Sequence, residues 1–235
     1  PNLKSYDPSF AYELAVIVRE GIRRMYQQGE NIFYYITLYN ENYPMPAMPE
    51  GEDIEQGIIK GAYCWQPRSG GGEEIDLLAS GSMMQQAIDA AEQLRALGYA
   101  PAIWSVTSYI ELAREAESCE RDARLNPLQP RRQPYIESLF TDAQGPVIAV
   151  TDYQKSLPAG IAAWMPESYT VLGTDGFGLS ESRPDLRDHF EVSAAHIVQA
   201  AVVVLYRGQR ISEQELKEQL APLEIDAGKL DPVSR

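Results

Sequence analysis

Cysteine and histidine are scarce in this chain: two of each in 235 residues. Cys64 and Cys119 form no C-x-x-C pair, and neither histidine stands at zinc-ligand spacing from them. The pattern argues against a disulfide framework and a structural zinc site, and it predicts a reducing, cytoplasmic setting. Basic residues are also few, 20 Lys and Arg against 34 Asp and Glu, for a net charge of −14. A surface of that sign repels a phosphate backbone, so no nucleic-acid partner is expected. The adjacent Arg131 and Arg132 are read as a solvated face. Long apolar runs are missing too; none approaches the ~18 residues that span a bilayer, and no membrane partner is expected. The opening PNLKSYDPSF has no basic n-region and no apolar h-region, so it is not read as a secretory signal. It begins with Pro, which suggests a processed or excised chain.

What is present is ordinary globular composition, 44% hydrophobic and 23% charged. The segment NIFYYITLYNENYPMPAMPEG (31–51) poses the first question. It opens as a strand over 31–38, then meets Pro44, Pro46 and Pro49. Before it, residues 7–29 read as a helix, with Asp7 as cap, Pro8 at its first position and Gly29 at its end. Phe10, Leu14, Ile17, Val18, Ile22 and Met25 recur at helical spacing. One helix and one strand cannot enclose a core. They are therefore expected to be the last helix and strand of an incomplete α/β domain, and the prolines a semi-rigid exit from it. The orphan strand, with Tyr34, Tyr35, Tyr39 and Tyr43, is expected to drive self-association.

From about residue 52 strands and helices alternate. Strands are expected at 57–65, 75–81, 101–108, 146–152 and 169–173. Helices are expected at 82–97, closed by Gly98, and at 109–124, 160–165, 193–208 and 212–220. The last carries a capping box of Ser212 and Glu215. The continuous apolar run 75–81 suits a strand covered on both faces. The pattern predicts a three-layer α/β/α domain with a mainly parallel sheet.

The residues alone offer no catalytic set. His189 and His196 lack a G-x-S-x-G elbow for a triad and are read as structural. GTDGFG (173–178) runs G-x-x-G-x-G, not the dinucleotide order, and is read as a tight turn, with a phosphate cradle as the alternative. Gly81 and Ser82 stand between strand and helix, either as a plain cap or as an anion nest. Glu111, Glu115, Glu117, Glu120 and Asp122 alternate with Arg114, Arg121 and Arg124, as expected for intrahelical pairs. No catalytic, cofactor-binding or metal-binding residue is assigned.

Several long blocks carry a resemblance: YDPSFAYELAVIV, YYITLYNENYPMPAMPEG, SVTSYIELAREAESCER, TDYQKSLP and LGTDGFGLSESRPDLRDHFEV. Together they resemble the C-terminal part of the homodimeric, bacterial-type pyruvate dehydrogenase (acetyl-transferring) family. From about residue 51 the chain also resembles the transketolase C-terminal domain. The resemblance implies that residues 1–48 end a middle, pyrimidine-binding domain and that 49–235 form a transketolase C-terminal-like domain. It implies an oxidoreductase of glycolytic carbon flow that uses thiamine diphosphate and magnesium. Such an enzyme decarboxylates pyruvate and passes the acetyl group to a lipoyl group on dihydrolipoyl acetyltransferase. The family's catalytic histidines, metal motif and activating glutamate match no position here, so this chain is expected to be structural and dimer-forming, and to bind no cofactor itself. The competing expectation is a stand-alone α/β module that holds a small anion near Gly81, Ser82 or 173–178, or serves in protein interaction.

Overall fold

The computed structural model describes residues 1–51 and 53–234. Its first unit is a strand–helix–strand: β1 (Leu3–Tyr6), α1 (Ala11–Ile22) and β2 (Phe33–Ile36). The two strands pair in parallel, from Leu3 against Phe33 to Tyr6 against Ile36. Only one strand was expected; LKSY mixes polar and apolar residues without clean alternation, so β1 gives no period-2 signal.

The helix also starts later than expected. Asp7 does not cap it. Its carboxylate is held by Thr37 and Tyr39, both 2.6 Å from Oδ1. Phe10 takes the N-cap position, and Glu13 reaches back to accept from the Ser9 and Phe10 amides at 2.5 and 3.0 Å. The carboxylate thus serves donors that the helix leaves free. A five-residue π turn, Arg23–Gln27, follows α1, and Gly29 closes it at φ 67°.

The aromatic cluster of the orphan strand is largely covered. Tyr34 stacks on Tyr6 at 5.8 Å, and Tyr43 donates to the Ser9 carbonyl at 2.7 Å. Phe33, Tyr35 and Leu38 stay exposed. Within β2 period-2 alternation explains the split: Tyr34 and Ile36 pack against the cluster that holds Val16 and Ile17, Phe33 and Tyr35 face the other way, and Leu38 lies beyond the strand.

Residues 37–51 form no helix or strand and bend at Asn40, in keeping with the three prolines. The expected strand 57–65 is two elements. Ile54–Lys60 is helix α2, ended by Gly61 at φ 113°, and β3 (Tyr63–Gln66) follows. The left-handed turn at Gly61 reverses the chain, which the β-branched Ile58 and Ile59 disguise.

The remaining elements are β4 (Glu74–Ala79), α3 (Met83–Ala96), β5 (Ala100–Ser105), α4 (Tyr109–Leu125), α5 (Tyr135–Phe140), β6 (Val147–Val150), α6 (Ser156–Ala159), β7 (Tyr169–Leu172), α7 (Arg183–His189), α8 (Ala194–Arg207) and α9 (Glu213–Leu220). Residues 162–164, expected within a helix at 160–165, make a single 3-10 turn after α6. The five-stranded sheet has the order β3-β5-β4-β6-β7, with β3 antiparallel at the edge and the other pairs parallel. On one face α3 and α8 bury Met84, Leu94, Ile197 and Val202. On the other, α4 and α5 bury Leu112, Ala116, Ile136 and Phe140. These are the three layers the alternation predicts. α5 has only six residues behind a Pro-rich approach, and the sequence does not announce it.

The Ser212–Glu215 box is formed: Glu215 N donates to Ser212 Oγ at 3.2 Å, and Ser212 N to Glu215 Oε2 at 2.7 Å. By length and composition, Arg183–Arg207 would pass for a membrane span. In the fold it is α7 and α8, broken where Glu191 adopts φ 59°, and α8 buries Ile197, Val198, Ala201 and Val202 in the core.

A third cluster joins the first unit to the sheet: Tyr6, Val16 and Ile17 pack on Ile58 and Tyr63. The helix face that does this is only partly the one read from periodicity: Phe10 and Ile17 are buried as expected. Val18 and Ile22 lie exposed, while Glu13 and Gly21 are buried.

Candidate functional site

β4 and β6 are neighbours, but β4 continues through α3 to β5 on one side and β6 through α6 to β7 on the other. The strand order reverses at their C-terminal ends, where an open α/β sheet leaves a crevice. A cleft of about 360 Å³ lies there, lined among others by Ser82, Asp152, Thr174, Gly176, Arg183 and Arg187. The fold thus brings together the two stretches singled out in the sequence, Gly81–Ser82 and 173–178.

Neither stretch is free to cradle an anion. Gly81 sits at φ 51° with the Tyr39 ring against its Cα, so a side chain has no room. The amides that open α3 are already used: Met83 N meets the Ser80 carbonyl at 3.1 Å, and Met84 and Gln85 meet Gly81 and Ser82, both at 3.3 Å. Ser82 occupies the N-cap position without a side-chain cap bond. The 173–178 segment is a braced turn. Thr174 bonds the Tyr153 and Asp152 carbonyls, Lys155 N donates to Asp175 Oδ1 at 3.0 Å, and Gly176 at φ 99° lies against the Pro232 carbonyl.

Both cleft arginines are engaged by one carboxylate of the chain itself. Arg187 pairs with Glu41 at 2.8 Å and Arg183 with the same carboxylate at 3.6 Å. Arg183 also donates to the Asn40 carbonyl at 2.5 Å. The linker therefore forms one wall of the cleft.

His189 ends α7 with its ring edge-on to Phe190 at 4.8 Å. His196 is buried in α8, its Nδ1 2.8 Å from Ser193 Oγ; burial lowers its pKa, and nearby Lys229 adds to the effect. Burial pushes the Cys64 and Cys119 thiols up to about 11, so neither is a ready nucleophile. The α4 carboxylates are not the intrahelical ladder expected. Glu111 does pair with Arg114 at 2.8 Å, but it also takes Lys4; Glu115 takes Arg132 and the Tyr135 amide; Glu120 takes Arg131. The packing of β1 and of the loop before α5 onto α4 supplies these longer-range partners.

Sequence reasoning missed the most telling polar groups. Glu13 is fully buried. Besides the two amides of its own helix, its Oε1 accepts from Tyr63 Oη and Ser105 Oγ, both at 2.6 Å. One carboxylate from the first unit thus bonds two strands of the five-stranded sheet. Burial raises its pKa, and the four hydrogen bonds partly oppose that rise. Asp76 interrupts the apolar run of β4; it is buried against Arg68 at 2.5 Å and Trp104 Nε1 at 2.8 Å. A carboxylate within an otherwise apolar segment was the available signal for both.

A family model described as "Pyruvate dehydrogenase E1 component middle domain" matches residues 1–46. One described as "Transketolase-like TK C-terminal domain" matches residues 61–193, more than half of the chain. The chain belongs to the transketolase-like C-terminal domain family. Within it, the pyruvate dehydrogenase E1 component of Escherichia coli K12 is 46% identical over 235 residues, and that of Pseudomonas aeruginosa PAO1 is 44% identical over 236. Each alignment covers 99% of this chain and 26% of the relative, so the chain spans about a quarter of the length of the curated relatives it matches. Among solved structures, a transketolase from Leishmania mexicana superposes with a TM-score of 0.59 at 18% identity, over 88% of this chain and 26% of that one. A Campylobacter jejuni transketolase gives 0.55 at 20%, over 86% and 26%. The transketolase-like fold, with its mainly parallel sheet, is thus shared with both.

Proposed function

We propose that this chain is the C-terminal portion of a pyruvate dehydrogenase E1 subunit, with residues 1–48 ending the middle domain and 49–235 forming the C-terminal domain. The observation that carries the reading is identity of 46% along 99% of the chain to a named E1 component. On this reading the subunit is a cytoplasmic homodimer within a multienzyme complex. It decarboxylates pyruvate with thiamine diphosphate and magnesium, and it delivers the acetyl group to a lipoyl group on dihydrolipoyl acetyltransferase.

The residues of this chain do not themselves fit that cofactor. Among the described residues no three His, Cys, Asp or Glu side chains gather to hold a metal ion. The α3 amides are spent on their own turn, and both cleft arginines face Glu41. No chemical step is therefore assigned to them. Their part is structural: the Glu13 network fastens the first unit to the sheet, and the linker closes one side of the switch-point cleft.

The test is to supply the purified chain with thiamine diphosphate and magnesium and assay pyruvate decarboxylation, with the full-length subunit in parallel. The full-length subunit is expected to turn over and the chain alone to be inert. Decarboxylation by the chain alone would refute the structural role, and an inactive full-length subunit would refute the enzyme assignment. The small-anion module is the weaker reading, because the α3 amides are spent on their own turn and both cleft arginines already pair with Glu41.

A further inference from the structure

The switch-point cleft holds one carboxylate that the fold leaves without a counter-ion. Asp152 lies just past the end of β6, beside the reversal of strand order, where open α/β sheets place their ligand-binding groups. Arg183 and Arg187 go to Glu41, and Lys155 goes to Asp175. Among the described residues no Lys or Arg closes an ion pair with Asp152. Its carboxylate belongs to the cleft all the same. It feels the charges of Arg187 and Glu41, and the Ser82 hydroxyl lies near enough to favour its charged form; all three residues line the same space. Asp152 keeps exposed surface there, while the walls around it strip enough water to raise its pKa above the ordinary carboxylate value, against the pull of Arg187. A poorly hydrated carboxylate that opens on a cleft and lacks a partner draws a cation.

The rest of the wall selects what carries the charge. Leu179, Leu186, Phe190 and Val192 give it an apolar side, and Leu179 is 46% exposed. The volume of about 360 Å³ exceeds the ~150 Å³ in which benzene fits, so there is room for a ring with a short chain. An anion would have to displace Glu41 from both arginines and then lie beside Asp152. A cation leaves the Glu41 pairs intact. We propose that this cleft binds a small primary amine on a compact apolar body, its ammonium on Asp152 and its hydrocarbon against Leu179, Leu186 and Phe190. The three donors of the ammonium serve both Asp152 oxygens and the Ser82 hydroxyl, which makes no cap bond to α3. The inference concerns binding alone and stands whether or not the subunit acts on pyruvate.

The test uses the full-length subunit and phenethylamine as probe, with phenethyl alcohol and phenylacetate as its neutral and anionic counterparts, followed by calorimetry and ligand-detected NMR. Phenethylamine is expected to bind at millimolar concentration or below. The alcohol and the acid should each bind at least about tenfold more weakly, because each lacks the charge-assisted bond. Asp152→Asn keeps the shape and removes the charge. It should weaken phenethylamine at least about tenfold and bring it level with the alcohol, without lowering the melting temperature of the unliganded subunit. Leu179→Ser, at an exposed position, should weaken amine and alcohol alike by about three- to fivefold. Absence of phenethylamine binding at millimolar concentration would overturn the proposal. So would an unchanged affinity in Asp152→Asn, or phenylacetate or the alcohol binding as tightly as the amine. A lower melting temperature of unliganded Asp152→Asn would show a carboxylate already engaged by the fold, and would overturn it too.

Discussion

Replacing Glu13 by alanine would strip four donors of their acceptor in one step. The Ser9 and Phe10 amides would lose their cap, and Tyr63 and Ser105 would lose the carboxylate that ties both strands to α1. Tyr63 keeps one alternative, the Tyr12 hydroxyl 2.6 Å away. The other donors lie in a site with no exposed surface. A buried donor left unpaired costs about 1–3 kcal/mol, and loss of a helix cap alone about 1 kcal/mol. Allowing for relaxation around the small cavity, Glu13→Ala should destabilise by about 4 kcal/mol. With a urea slope of about 2 kcal/mol/M, the midpoint would fall by about 2 M. Trp65 and Trp104 lie on the strands concerned, so tryptophan fluorescence follows the transition. Glu13→Gln keeps one acceptor but presents an NH₂ to donors, and should cost about half as much. A loss below about 1 kcal/mol in Glu13→Ala would refute the idea that this carboxylate fastens the two units.

Glu13 also sets a pH signature. Its folded pKa is raised by burial, so the folded state holds its proton more tightly than the unfolded chain does. The stabilisation is complete below the ordinary carboxylate value and is lost as pH rises through the folded one; Glu13→Gln should remove that decline from urea midpoints measured across the range. Arg187→Ala should free the linker from the cleft at a cost of about 1 kcal/mol, because the pair with Glu41 is only partly exposed. Faster limited proteolysis within residues 40–50 checks it, and an unchanged cleavage rate would count against the linker's role as a wall. The chain in isolation should dimerise through Phe33, Tyr35 and Leu38, which are exposed beside the short β1–β2 sheet. High salt should favour the dimer by screening the charge of −14; sedimentation of the Phe33→Ser, Tyr35→Ser double variant should then show a monomer, and a persistent dimer would place the contact elsewhere.

Much of the sheet was readable because its strands alternate with long amphipathic helices and its turns carry explicit marks. Gly98 after α3 and the Ser212–Glu215 box at α9 are local chemistry, and local chemistry survives folding. β1 and α2 were not readable. Four residues of mixed polarity give β1 no period, and β-branched Ile58 and Ile59 mimic a strand where Gly61 lets a short helix turn back. The candidate site was half legible. Gly81–Ser82 and 173–178 were picked from glycine placement, and the switch point does unite them. Their occupants were not visible, because Tyr39 and Glu41 arrive from 40 or more residues away. Glu13 showed only as a carboxylate in an apolar segment, and its partners Tyr63 and Ser105 come from 50 and 92 residues away, where no spacing in the chain foretells them.

The seat of Tyr39 on Gly81 has a consequence for how such chains can be recombined. Asp7 holds Tyr39 by its side chain and the Gly81 amide by its carbonyl, at 3.3 Å. Three residues from three parts of the chain therefore form one fitted set. A chimera that joins the first fifty residues of one relative to the sheet of another crosses this set at its weakest point. Any residue but glycine at 81 would drive the tyrosine out, and any donor lost at 39 would leave Asp7 with a buried charge and one fewer bond. Crossovers between divergent relatives should succeed only where positions 7, 39 and 81 come from the same parent, whatever the linker between them looks like.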